Sequence, residues 1–193
     1  MNAQPSQFVL KANPHAWLLS ADNLHTAACS TYDGRGFGSI QETSASSEKL
    51  IDLVEKPAFL LAGFAIENLL KAFLVYENPN WISNGSLAKE LRTHSLSRLH
   101  AKSALLIRKD GASEILAEFE DGLDSWARYP CALSEARTKE QRPLPPSLWQ
   151  SYRELMFSCG RQMVSLLEKG WVGPDGFEAR FSFEGDFLSI LQK

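Results

Sequence analysis

The chain has 193 residues, enough for one domain with a real hydrophobic core. Apolar residues make up 44% and charged residues 22%, which excludes a disordered tail or a fibrous repeat. A net charge of -3 argues against a protein whose whole surface wraps nucleic acid, although it leaves room for a local basic face.

In chain order, the N-terminal MNAQPSQFVLKANPHAW has no basic head followed by an apolar run, so no secretory leader is expected. Spacing predicts a first helix over 13–30, capped by Asn13 with Pro14 at its first position. Trp17, Leu18, Ala21, Leu24 and Ala28 follow helical spacing there. Residues 31–46 are rich in Gly, Ser and Thr and read as a long loop, with a short helix expected over 47–55. GRGFG at 34–38 is not a phosphate-loop sequence and reads as part of that loop.

From Pro57 to Glu77 the chain is almost continuously apolar, yet it carries Glu67, Asn68 and Lys71 near the middle. As a membrane span it would place both charges near the centre, at a cost of roughly 2.5–3.5 kcal/mol each, while each Leu or Phe returns only tenths. The segment is therefore expected to be the central helix of a bundle, buried on all sides, in a cytoplasmic protein. Glu67 and Lys71 lie one turn apart in the favoured acid-first order. A lone buried charge is costly, so the pair is expected to be joined by a third polar partner, His94 being the best candidate.

Further helices are expected over 87–109, broken near Thr93 and ended by Gly111, over 113–127, and over 147–168. Thr93 or Ser95 can cap the second piece of the first of these. In the 113–127 helix Ile115, Leu116, Phe119, Leu123 and Trp126 share one face, and Glu114, Glu118, Asp121 and Asp124 the other. Between the last two helices, 129–146 holds four prolines. Beyond Gly170, FEARFSFE alternates with period two and reads as one strand whose partner the sequence does not name. One domain over 1–170 is expected, with 171–193 as an extension packed on it.

Residues 89–109 carry Lys89, Arg92, Arg98, Lys102, Arg108 and Lys109 against the single acid Glu90. That excess suits phosphates, or equally a solvated face balanced by the acidic helix that follows. His94 is read as a structural histidine beside Glu67, with general base as its alternative role. The cysteines, Cys29, Cys131 and Cys159, are scattered and have no metal-site or CxxC spacing, so reduced thiols are expected. No metal, no cofactor and no catalytic set is assigned.

AIENLLKAFLVYENPN, then THSLSRL, then WARYP resembles, in that order, the HEPN superfamily of small helical domains. The matching positions are Glu67 and Lys71, then His94 with Leu96 and Leu99, then Arg128-Tyr129-Pro130. The resemblance covers about 13–168. It implies an all-α, up-down bundle of four or five helices, commonly a homodimer. It also implies binding of a nucleotide or RNA, or metal-independent RNA cleavage, or the company of a nucleotidyltransferase or antitoxin in defence systems. Candidate ligand-binding residues are Glu67, Lys71, His94, Arg98 and Arg128. Nuclease members share an Arg, four to six residues, and a His; here neither Arg92 nor Arg98 stands at that spacing before His94 or His100. The leading expectation is a non-catalytic binding domain. The rivals are an atypical ribonuclease toxin whose Arg and His meet from distant positions, and a purely structural dimeric module.

Overall fold

The computed structural model describes residues 5–42, 47–107, 111–131, 134–135, 144–185 and 188. It is a helical bundle with two small strand pairs. In chain order the elements are α1 (Gln7–Ala12), α2 (Pro14–Asp33), β1 (Phe37–Glu42), β2 (Ser47–Asp52), α3 (Glu55–Glu77), α4 (Leu96–Lys102), α5 (Ala112–Asp124), α6 (Pro146–Lys169), β3 (Trp171–Val172) and β4 (Glu178–Ala179).

The start of α2 follows the expected cap. Asn13 Oδ1 accepts the Ala16 N–H at 2.8 Å, and Pro14 takes the first helical position, where a missing N–H costs nothing. The short α1 lies before the expected first helix; Ser6 Oγ caps it by accepting the Val9 N–H.

α3 is the axis of the bundle. Its length and composition would suit a membrane span, but 78% of its most apolar window is buried inside the protein, so it is a core helix. α2 runs against it in the opposite sense. Trp17, in the first turn of α2, stands near Lys71 late in α3. At the other end Arg35, just past α2, donates to the Leu144 carbonyl, while Glu55 at the start of α3 accepts the Leu144 N–H. α6 runs with α3, and the Tyr76 hydroxyl fastens their ends by donating to the Gly170 carbonyl at 2.9 Å. α5 crosses α3 where both backbones come close: a Cβ on Gly63 would sit 2.9 Å from Leu123, and one on Gly122 would enter the Phe59 ring. Phe59 stacks on Phe119 with centroids 4.4 Å apart.

Three sequence expectations need correction. The 31–46 segment is not a continuous loop: α2 extends to Asp33, and β1 begins at Phe37, with 43–46 outside the described residues. The short helix expected over 47–55 is instead strand β2, paired antiparallel with β1 from Phe37↔Asp52 to Glu42↔Ser47. That ladder satisfies backbone groups by pairing across a hairpin, which helical spacing of side chains does not register. Of the helix expected over 87–109, the first piece is only a 3-10 turn over Lys89–Leu91, and 108–109 lie outside the described residues; the second piece ends at Lys102 because the following backbone bonds elsewhere. Glu77 accepts the Ser103 hydroxyl, the Ala104 N–H at 2.9 Å and the Leu105 N–H at 3.3 Å. Gly111 therefore does not end that helix; it precedes α5 with φ +80°, a conformation glycine adopts without strain.

The alternating C-terminal stretch finds its partner within the chain. β4 pairs with β3 over two residues, Trp171↔Ala179 and Val172↔Glu178. Beyond that pairing the alternation persists in burial: Phe177, Phe181 and Phe183 pack on the core, while Glu178, Arg180, Ser182 and Glu184 are exposed. His15 stacks on Phe181 at 4.8 Å.

Candidate functional site

Glu67 and Lys71 are both buried, at 5% exposure each. Lys71 Nζ donates to Glu67 Oε1 at 2.6 Å. His94 Nδ1 lies 2.9 Å from Glu67 Oε2. An ionised carboxylate only accepts, so the hydrogen of that bond belongs to Nδ1. Both Glu67 oxygens are thus engaged, one by a residue of its own helix and one by the segment that leads into α4. Lys71 Nζ also lies 5.6 Å from the centroid of the Trp17 ring, so the ammonium faces an aromatic ring as well as a carboxylate. Asn68 solves its own burial locally by donating to the Phe64 carbonyl at 2.8 Å.

The imidazole is the part of this cluster that meets solvent, with 59% of its side chain exposed. Fixing Nδ1 as donor leaves Nε2 as the free acceptor of the neutral ring. The site therefore presents one oriented imidazole nitrogen, supported by a buried carboxylate that a buried lysine holds in turn.

Segment 93–107, which carries His94, is tied to the bundle at further points, two of them carboxylates. Glu120 on α5 accepts the Ser95 hydroxyl and the Ser97 N–H, each at 2.8 Å. Burial pushes the Glu120 carboxyl up, but the bonds from Ser97 and Ser95 outweigh it and hold it below the usual carboxylate range. This carboxylate occupies the N-terminal end of α4, so that end is already neutralised. Glu77 holds the 103–105 end, as described above. Carboxylates at 67, 77 and 120 thus hold one segment at three places along it.

Arg98 lies in the first turn of α4, exposed, its N–H accepted by Ser95 Oγ. Arg92 is exposed and spends its Nε on the Leu87 carbonyl at 2.8 Å. Arg128 falls in the turn after α5. The neighbouring Tyr129 carbonyl accepts from Lys56, which is eleven residues before Glu67, or about 16 Å of helix rise. The structure therefore joins Glu67, Lys71 and His94, sets Arg98 one turn along from His94, and places the Arg128 backbone near the other end of α3. Among the described residues no group of three His, Cys, Asp or Glu side chains has the placement of a metal site.

A second buried polar cluster escaped the sequence reading. His25 Nδ1 and the Tyr152 hydroxyl are 2.8 Å apart, and Cys29 Sγ is 3.7 Å from His25 Nε2. Burial pushes the Tyr152 phenol well above its ordinary value and the Cys29 thiol up to about 11. These groups sit at ordinary core spacing on α2 and α6, which gave no sign of the contact.

No protein-family model matches the chain, and no curated protein or solved structure does either.

Proposed function

We propose that this chain is a HEPN-like helical domain that binds a nucleotide, RNA or a partner protein at the face carrying His94 and does not cleave RNA. It works in the cytoplasm as a homodimer, in a toxin–antitoxin or defence setting, beside an antitoxin or nucleotidyltransferase. The observation that carries the reading is the Lys71–Glu67–His94 clasp: the first two motifs of the resemblance touch directly. The third, Arg128-Tyr129-Pro130, touches the start of α3 through Lys56. Binding is favoured over catalysis because no arginine stands at the nuclease spacing before His94 or His100. The homodimer rests on the resemblance alone, since the C-terminal phenylalanines pack on their own bundle.

One observation favours a ribonuclease as second reading. An imidazole held through Nδ1 by a carboxylate, with Nε2 open, is disposed as a general base for a 2′-hydroxyl. Incubation of the pure chain with labelled RNA and with ATP separates the two. The proposal expects retention of one of these ligands, weakened by His94→Ala, with the RNA intact. Cleavage that disappears in His94→Ala establishes the enzyme instead. Retention of neither ligand removes the nucleotide and RNA readings together.

A further inference from the structure

A cavity of about 550 Å³ opens between α3, α5 and the start of α6, and no residue of the clasp lines it. Its walls are apolar and partly aromatic: Phe59 from α3, Ile115 from α5, Trp126 from the turn after α5, and Leu144 and Leu148 from the start of α6. The volume falls in the range of sites for drug-sized ligands. Two charged groups line it, Glu114 and Glu118, both exposed and one helical turn apart on α5.

Like charges at that spacing repel and weaken a helix by tenths of a kcal/mol. Among the described residues neither carboxylate has a cationic partner. Two cations adjoining the cavity's lining residues have other partners. Lys56 donates to the Tyr129 carbonyl, and Arg35 donates to the Leu144 carbonyl and lies 3.8 Å from the Tyr32 ring centroid. The result is an apolar cavity with a doubly anionic rim and an indole in its wall.

We infer that this cavity binds a small organic cation with an aromatic or aliphatic body, the body lying against Phe59, Ile115 and Leu148 and the ammonium at Glu114 and Glu118. Burial of the body supplies affinity. The paired carboxylates, with the Trp126 face for cation–π contact, select cation over anion. This inference is independent of the function proposed for the His94 face.

The test uses two probes with the same ring and opposite charge, tryptamine and indole-3-propionate, titrated calorimetrically into the full chain at fixed ionic strength. Tryptamine is expected to bind and indole-3-propionate to bind at least roughly tenfold more weakly. Glu114→Gln/Glu118→Gln, a change confined to exposed side chains, should weaken tryptamine about tenfold while its far-UV circular dichroism stays unchanged. Ile115→Trp, which fills the cavity, should abolish binding of both probes. No tryptamine binding at millimolar concentration, equal binding of the two probes, or no loss in the double variant overturns the inference.

Discussion

The carboxylate of Glu67, at the centre of the most apolar helix, is bonded to the imidazole of His94, which arrives from a different segment of the chain at 2.9 Å. That bond explains why a greasy helix carries charge. Glu67 is the anchor by which α3 holds the segment leading into α4, and Lys71 is the counter-charge that makes a buried carboxylate tolerable.

Replacing Glu67 by Ala leaves Lys71 buried without its carboxylate. The expected cost is about 3–5 kcal/mol of folding stability, measured by urea unfolding. Loss of under about 1 kcal/mol would mean that the lysine finds water or another partner easily.

Glu120 gives the same segment a pH dependence. Its carboxyl is held below the usual range in the folded state, so the unfolded state binds a proton first as the pH falls. The contribution is complete above the unfolded-state value and disappears as the pH drops through the folded one. Glu120→Gln should destabilise the protein by about 1 kcal/mol at pH 7, on the scale of a lost helix cap, and the difference from wild type should shrink toward pH 3. Unfolding midpoints at the two pH values check this; a constant difference contradicts it.

The thiols should separate by reactivity. Cys131 is exposed, whereas Cys29 is buried and pushed up to about 11, so little of it is thiolate at pH 8. Ellman's reagent should modify Cys131 quickly in the native chain, and Cys131→Ser should remove the fast phase. A fast phase that survives this change would show that the buried positions open readily.

The α3–α5 crossing predicts a steric effect. A methyl at position 122 has to displace the Phe59 ring, which is itself packed between Phe119 and Trp126. Gly122→Ala should cost about 1–3 kcal/mol in a thermal or urea melt, even though alanine is the better helix former. A stabilised variant would show that the ring moves freely.

Much of this is legible in the sequence. Asn13-Pro14 marks the start of α2, Gly170 the end of α6, and period-3.6 spacing the buried faces of α2, α5 and α6. Glu67, Lys71 and His94 were legible as one group because burying a charge carries a cost that only a partner offsets, and few partners were available. The hairpin of β1 and β2 was not legible, since its stability lies in a backbone ladder rather than in side-chain periodicity. The ends of α4 were only half legible. Ser95 announces its cap, but the carboxylates of Glu120 and Glu77 that hold both ends come from other helices, and exposed-looking acids give no local hint of such reach. The His25–Tyr152 contact was hidden for a similar reason: each residue fits an apolar face by spacing alone.

A double-mutant cycle between Glu67 and His94 tests the clasp most directly. Glu67→Gln, His94→Gln and the double variant are compared by urea unfolding at pH 7. The account predicts a coupling of about 1–3 kcal/mol between the two positions, with His94→Gln mild in the Glu67→Gln background. Additivity to within about 0.3–0.5 kcal/mol would mean that the two side chains do not hold each other, and that the segment before α4 is fixed without them.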